Sequence, residues 1–203
     1  MAKILIEFAH PVFSKSRVQK ELVNRCREIE GITFNDLYEQ YPDLYIDVKR
    51  EQELLHTHDI IIWQHPMYWY SGPAILKQWM DLVLEYNWAY GPQGDALSGK
   101  KVLSVISCGV RESAYNSQGM NRYEINQFLL PFRQTATLCG MSYLPPFIIF
   151  GGNQISNSSL TEHSDKYAAV LSALAKDQLP EEQYLRLDYL QTLDIDFLQD
   201  KKF

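Results

Sequence analysis

The chain has 203 residues and a formal net charge of −6, with 46% hydrophobic and 22% charged residues. This length fits one domain with a substantial core, and the composition is ordinary for a globular protein. The negative charge argues against a nucleic-acid-binding protein, because such proteins present a basic face.

The spacing of the cysteines and the length of the apolar runs indicate in which cellular compartment the protein is expected. Cys26, Cys108 and Cys139 lie far apart and form no C-x-x-C pair, which indicates reduced thiols rather than disulfides or a zinc site. No apolar run approaches the ~20 residues of a membrane-spanning helix. We therefore expect a cytoplasmic protein that contacts a membrane only through a partner. The five histidines do not form a set of metal ligands in the sequence, so we predict no metal site.

The first half of the chain alternates strands with helices. A continuous apolar run at residues 3–9 predicts a strand buried on both faces, and helical spacing of apolar residues follows. Short strands are expected at 32–38 and 59–64, with a helix at 49–56 between them. Pro73 then opens a helix, since proline in a first turn loses no needed hydrogen bond.

The second half continues the alternation. It predicts a strand at 101–107, a helix at 123–138 that Pro131 kinks, a strand at 141–150 interrupted by prolines, and a helix at 160–175. This order predicts an α/β fold with a five-stranded parallel sheet and helices on both faces. The expected strand order is 2-1-3-4-5, as in flavodoxin-like folds.

The C-terminal segment differs in composition from the rest. Residues 177–203 hold seven acidic and three basic side chains, a net charge of −4, yet many apolar ones. We expect residues 1–176 to form the flavodoxin-like domain and 177–203 to pack on it or on a dimer partner. The alternative is a frayed acidic tail.

Ligands bind beyond the carboxyl ends of strands in such sheets, where the strand order reverses. The loop after the first strand carries Ser14, Lys15, Ser16 and Arg17 at a helix start, a combination that suits an anion. Alternatively, Ser16 is only a helix N-cap. The loop is neither a P-loop nor a G-x-G-x-x-G loop, which argues against ATP and a Rossmann NAD site.

Two further loops suit a planar ring. After the third strand, Met67, Tyr68, Trp69 and Tyr70 could pack against an isoalloxazine, although they could also form a patch for a partner. After the fourth strand come Ser107, Cys108, Gly109 and Val110. Gly109 permits close backbone approach to a ligand, and we interpret Cys108 as a buried thiol rather than a nucleophile. Together the three loops predict an FMN site.

Blocks along residues 3–175 carry a family resemblance. The clearest are Ala9-His-Pro, Gln64-His-Pro-Met-Tyr-Trp-Tyr-Ser, Trp88-Ala-Tyr-Gly, Glu112-Ser-Ala-Tyr and Asn121-Arg-Tyr. In these blocks the chain resembles the flavodoxin-like NAD(P)H:quinone oxidoreductases, above all the ancillary subunits of glutathione-gated potassium efflux systems. The resemblance implies bound FMN, or FAD as the alternative, with NADH or NADPH as hydride donor, a quinone as acceptor and a homodimer.

The resemblance also implies roles for individual residues. The ribityl phosphate end would be held by His10, Ser16, Arg17, Val18 and Gln19, and the ring by residues 67–70 and 107–110. Tyr115 matches a family tyrosine that stabilises the developing oxyanion of the acceptor. Asn121 stands near a position where many quinone reductases have histidine, and asparagine can donate a hydrogen bond but cannot give up a proton.

Three functions follow as hypotheses. The first is two-electron, ping-pong reduction of quinones by NAD(P)H. The second is a regulatory subunit that docks on a potassium efflux antiporter at the cytoplasmic face of the inner membrane. The third is a one-electron flavodoxin carrier, which the bulky loop after the first strand disfavours.

Overall fold

The computed structural model describes residues 1–27 and 29–194. Its centre is a parallel sheet with strand order β2-β1-β3-β4-β5, and β6 also pairs with β4. The predicted fold class and strand order are confirmed. The strands are β1 (Ile4–Phe8), β2 (Ile32–Asp36), β3 (Ile60–Pro66), β4 (Lys101–Ser107), β5 (Ser142–Tyr143) and β6 (Phe147–Ile149).

The predicted fifth strand is two short strands beside β4. Lys101 pairs with Ser142, an offset of 142 − 101 = 41, whereas Val105 pairs with Phe147, an offset of 147 − 105 = 42. One extra residue is therefore accommodated around Pro145 and Pro146, because proline donates no ladder hydrogen bond.

Helices cover both faces of the sheet. On one side α1 and α7 pack over Ile4, Ile6 and Phe8, and on the other α3, α4 and α6 pack over residues such as Leu5 and Trp63. This alternation follows from the two-residue period of a strand. The helices are α1 (Arg17–Cys26), α2 (Leu37–Gln40), α3 (Val48–Thr57), α4 (Ala74–Val83), α5 (Ile125–Phe128), α6 (Leu130–Leu138), α7 (Asn157–Ala175) and α8 (Glu181–Tyr184).

The prediction of one kinked helix at 123–138 is wrong in detail. The chain forms two helices that meet at Leu129, and Pro131 lies in the first turn of α6. Proline is tolerated there because the first N–H groups of a helix have no intrahelical acceptor. Pro131 thus starts a helix rather than bending one.

The segment after α7 packs on its own subunit as far as residue 194. Leu179, Tyr184 and Leu190 are buried in the same cluster as α7, and the Leu190 N–H donates to the Pro146 carbonyl over 3.0 Å. The proposed domain boundary at residue 176 stays a prediction. Residues 195–203 of the predicted extension lie outside the described residues.

Candidate functional site

A cavity of about 620 Å³ opens at the carboxyl ends of β1, β3, β4 and β6. All three predicted loops reach it, and its volume lies within the ~300–1,000 Å³ of small-molecule sites. The lining residues are His10, Val12, Lys15, Ser16, Arg17, Val18, Pro66, Met67, Tyr68, Ser107, Cys108, Gly109, Gly152 and Asn153.

The start of α1 forms one end of this cavity. Ser16 is the N-cap, and its hydroxyl accepts the Gln19 N–H over 3.2 Å. The N–H groups of Arg17 and Val18 in the first turn have no intrahelical acceptor, and the helix dipole places partial positive charge at the same point. The capping and anion-binding interpretations of this loop are therefore compatible, because capping occupies only one N–H group.

His10 supplies a further donor at this end. Its Nδ1 accepts the Val12 N–H over 3.2 Å, so that a neutral His10 carries its proton on Nε2. Burial lowers the pKa of His10, partly offset by its own backbone hydrogen bond. A neutral imidazole can still donate its Nε2–H to a phosphate oxygen.

The guanidinium of Arg17 points to the start of α7. It donates to Asn157 Oδ1 over 2.7 Å and also to the Ile155 carbonyl. Arg17 therefore ties α1 to α7 as well as lining the cavity. Exposed Lys15 is a second cationic side chain beside the helix start.

The aromatic loop is a tight turn closed by two hydrogen bonds. The N–H groups of Tyr68 and Ser71 donate to each other's carbonyls over 2.9 and 3.0 Å. Trp69 and Tyr70 between them have φ values of 49° and 64°. This is the left-handed region that hairpin turns normally fill with Asn or Gly. Two bulky aromatics there are strained, and such strain is common at functional sites.

The turn sends its side chains in different directions. Met67 and Tyr68 line the cavity, while Trp69 is 93% exposed. Tyr70 stacks on Phe128 with ring centroids 5.0 Å apart. Of the four residues of this loop that were predicted to contact the ring, only Met67 and Tyr68 therefore face the cavity in the single chain.

The loop after β4 packs against a fourth loop that sequence reasoning missed. The Gly152 N–H donates to the Cys108 carbonyl over 2.8 Å, and Asn153 completes the wall. A Cβ on Gly109 would lie 3.1 Å from Asn153 Nδ2, and one on Gly152 would lie 3.2 Å from Val18 Cγ2. The consecutive glycines after the last strand were the signal for this wall.

Cys108 is a cavity residue with an unreactive thiol. Burial is the main cause that raises its pKa to about 12, which keeps the thiol protonated. The three cysteines are free and buried. Val110 packs against the core on the α4 side instead of lining the cavity.

The two predicted catalytic residues, Tyr115 and Asn121, lie together behind Cys108 and are not among the residues that line the cavity. Tyr115 is 8% exposed and packs against Phe128 and Phe150. Its pKa is raised chiefly by burial, then by the Cys108 thiol, whereas the side chain of Asn121 opposes the shift. Tyr115 therefore keeps its proton, and Asn121 is placed to orient its hydroxyl.

The side chains of Gln19 and His65 are buried and make contacts within the protein interior. The Gln19 amide donates to Ser107 Oγ over 2.9 Å beneath the cavity. His65 is buried, stacks on Phe132 and hydrogen-bonds through Nδ1 to the Pro66 carbonyl. Burial lowers the pKa of His65 to about 4, so His65 is a neutral packing residue rather than a ligand.

Comparison with known proteins settles the family. A family model described as a flavodoxin-like fold matches residues 2–171. The chain belongs to this flavodoxin-like family. A relative, the glutathione-regulated potassium-efflux system ancillary protein KefG of Enterobacter sp. (strain 638), is 41% identical over 172 residues, which are 85% of this chain and 94% of the relative.

Two solved structures extend the comparison within the flavodoxin-like family. General stress protein 14 from Treponema denticola, in complex with FMN, is 39% identical with a TM-score of 0.80, over 85% of this chain and 99% of that chain. An NADPH-quinone reductase from P. pentosaceus is 29% identical with a TM-score of 0.76, over 85% of this chain and 97% of that chain.

Two further properties of the described residues bear on function. No helix within 1–27 and 29–194 is both long enough and apolar enough to cross a membrane. In the same part of the chain, no three His, Cys, Asp or Glu side chains are grouped so as to hold a metal ion.

Proposed function

We propose that this protein is an FMN-dependent NAD(P)H:quinone oxidoreductase. One observation carries the proposal: a single cavity joins the start of α1, with its free N–H groups and the Lys15 side chain, to an aromatic turn. FMN has the matching pair of groups, a phosphate and a flat tricyclic ring. FAD is the alternative cofactor.

The cavity walls fit this cofactor. The phosphate end offers the N–H groups of Arg17 and Val18, the Nε2–H of His10 and the Lys15 side chain. At Gly109 and Gly152 the walls are backbone, and a Cβ at either position would make a tight contact of 3.1 or 3.2 Å. Bare backbone brings donors and acceptors close to a ligand.

The mechanism divides between cofactor and protein. When bound, FMN supplies hydride transfer, through which NADH or NADPH delivers two electrons and a quinone accepts them in turn. The start of α1 would hold the phosphate, and Met67 and Tyr68, which line the cavity, would shield the ring from water. Tyr115 keeps its proton beside Cys108, which lines the cavity, and from there it would donate a hydrogen bond to the quinone oxygen as negative charge develops.

Asn121 has a supporting role in this proposal. Its side chain interacts with the Tyr115 hydroxyl and is itself buried. Because an amide cannot supply a proton and Tyr115 keeps its own, the proton that the quinone takes up must come from solvent. We therefore expect proton delivery to limit turnover.

The 41% identity to the KefG ancillary protein supports a second candidate function. In that case the protein forms a homodimer that binds a potassium efflux antiporter at the cytoplasmic face of the inner membrane. An efflux assay separates the two. A variant that has lost FMN but still activates efflux would identify scaffolding as the main role.

The proposed chemistry is tested on the purified protein. We expect a yellow protein that releases FMN on denaturation, is bleached anaerobically by NADH or NADPH, and recovers its colour when a water-soluble quinone is added. Tyr143→Phe is a matched control for Tyr115→Phe, because Tyr143 lies on β5 and its hydroxyl donates to Ser104, which does not line the cavity, whereas Tyr115 contacts the cavity residue Cys108. FMN that is bound but not reduced by either nucleotide would refute the oxidoreductase while leaving the cofactor site intact.

A further inference from the structure

A line of hydrogen-bonded side chains crosses the apolar layer between the sheet and helices α1 and α7. The Tyr167 hydroxyl donates to Gln64 Oε1 over 2.8 Å. Gln64 Nε2 donates to Gln19 Oε1 over 2.9 Å, and Gln19 Nε2 donates to Ser107 Oγ over 2.9 Å. The first three side chains are fully buried, and only Ser107 reaches the cavity.

These polar groups lie among apolar neighbours. Tyr167 packs on Phe147 with ring centroids 5.3 Å apart, and the surrounding cluster is built of Ile, Leu, Val and Phe. Buried polar groups are stable only when hydrogen-bonded, whereas apolar side chains could fill the same layer without that requirement. Packing alone therefore does not explain this line of polar side chains. Of its two ends, the one at Ser107 lies in the cavity wall.

The direction of the line is fixed at its inner end. Burial raises the pKa of Tyr167 well above its ordinary value, so the hydroxyl keeps its proton. In the described part of the chain, Gln64 is the hydrogen-bond partner of that hydroxyl. If the Gln64 amide were turned over, its NH₂ would face Tyr167 and the phenolic proton would lose the carbonyl oxygen that accepts it. The Gln64 and Gln19 amides must therefore have the same orientation. Each carbonyl oxygen accepts from the neighbour nearer Tyr167, and each NH₂ donates to the neighbour nearer Ser107.

We propose that this relay makes Ser107 a one-way hydrogen-bond donor towards the cavity, with Tyr167 as a positioning residue for the ligand. Ser107 Oγ accepts from Gln19, so its own proton is available to the cavity. We therefore assign a hydrogen-bond acceptor to the ligand atom opposite Ser107, because an acceptor is the partner that uses this free proton.

The neighbourhood of Ser107 indicates which part of the ligand this is. Its carbonyl accepts the Met67 N–H over 2.9 Å, which places it beside the aromatic turn. The acceptor thus belongs to the ring system, as a carbonyl oxygen or unprotonated nitrogen. This assignment rests on the proposed FMN site.

A double-mutant cycle on FMN affinity tests the relay. Tyr167→Phe and Ser107→Ala should each weaken FMN binding by up to about tenfold, as expected for one hydrogen bond. With Ser107→Ala already present, Tyr167→Phe should have no further effect, because its influence passes through the missing hydroxyl. Gln19→Met breaks the line one step nearer the cavity and should likewise abolish the effect of Tyr167→Phe.

The chain offers a matched control for this cycle. Tyr143 also donates to a serine on β4, Ser104, over 2.8 Å, but neither residue lines the cavity. Tyr143→Phe should leave FMN affinity unchanged. Equal weakening by Tyr167→Phe with and without Ser107 would mean a general packing effect and would overturn the relay, as would unchanged affinity in Tyr167→Phe alone.

Failure of the proposed function is distinguishable from failure of the relay. Wild-type protein that is folded by circular dichroism but binds no FMN refutes the former only. The relay is then tested by NMR without ligand, where the Gln19 and Gln64 side-chain amide protons should be protected from exchange. Protection of the Gln19 amide should fall in Tyr167→Phe and persist in Tyr143→Phe. Unaltered protection in Tyr167→Phe overturns the relay.

Discussion

Replacing Glu7 with glutamine should stabilise the protein increasingly as the pH rises. Glu7 is a fully buried acid near the end of β1. Its Oε2 accepts from Asn35 Nδ2 over 2.8 Å, and no group among the described residues donates to its Oε1. The pKa of Glu7 is raised well above 4.5, first by burial and then by the nearby Glu51 carboxylate. The folded protein therefore holds a proton that the unfolded chain releases.

The neighbours explain why Glu7 is the acid that stays protonated. Glu51 pairs with Arg50 and accepts from Trp79 Nε1 over 2.8 Å and from the Tyr41 hydroxyl over 2.5 Å. Asn35 bridges the two acids, donating to Glu51 over 2.9 Å. Glu51 thus has the cation and most of the donors, while Glu7 accepts from the Asn35 amide and, when protonated, hydrogen-bonds to Glu51.

The magnitude follows from linkage. Below pH 4.5, the ordinary glutamate pKa, both states are largely protonated and the free energy of unfolding does not depend on Glu7. Between this value and the raised folded pKa, each pH unit costs the folded state about 1.4 kcal/mol. A penalty of that size for each pH unit is a substantial share of the ~5–15 kcal/mol that stabilises a typical domain. Glutamine keeps the shape and the Asn35 hydrogen bond but has no proton to lose.

Urea unfolding followed by tryptophan fluorescence measures the effect. The free energy of unfolding of Glu7→Gln, relative to that of the wild type, should differ little at about pH 4 and increase as the pH rises above the ordinary glutamate pKa. Glu53→Gln is the control, since Glu53 is exposed on α3 and should show no such trend. A difference that stays flat across this range would refute the reasoning, because Glu7 would then titrate alike in both states.

Three further variants probe the site. Trp69→Asn should raise the free energy of unfolding by ~1 kcal/mol in thermal or urea melts, because asparagine adopts the positive φ of 49° more easily; an unchanged melt would contradict the strain. Ser16→Ala removes the N-cap of α1 and should cost ~1 kcal/mol while weakening FMN more than riboflavin; equal weakening of both would place the phosphate elsewhere. Tyr115→Phe should slow reoxidation by quinone in stopped flow while FMN affinity stays nearly constant, and unchanged reoxidation would remove Tyr115 from the mechanism.

The fold was accessible from the sequence because its signals are local and repeated. Continuous apolar runs at β1, β3 and β4 mark strands buried on both faces, and helical spacing lies between them. The break at Leu129 was not accessible, since Pro131 is compatible both with kinking a helix and with starting one. The role of Glu7 within its apolar run could not be predicted, because burial of this acid depends on Asn35 and Glu51, which are distant in sequence.

The loops that form the candidate site could be predicted from the sequence, but the directions of their side chains could not. Topology alone brings the ends of β1, β3 and β4 together. The outward direction of Trp69 depends on positive φ values that neither Trp69 nor Tyr70 signals, and the contact from Arg17 to α7 is long-range. The wall formed by Gly152 and Asn153 follows the irregular strand pair β5–β6, whose exact end the prolines obscured.

The most direct test of the central claim is the identity of the chromophore. The protein should be purified, its visible spectrum recorded, any pigment released and identified, and the apoprotein titrated calorimetrically with FMN and FAD. The cavity at the end of the sheet predicts tight binding of FMN, one molecule to each chain, lost in parallel with the phosphate contacts at α1. Folded protein that stays colourless and takes up neither nucleotide would contradict the account.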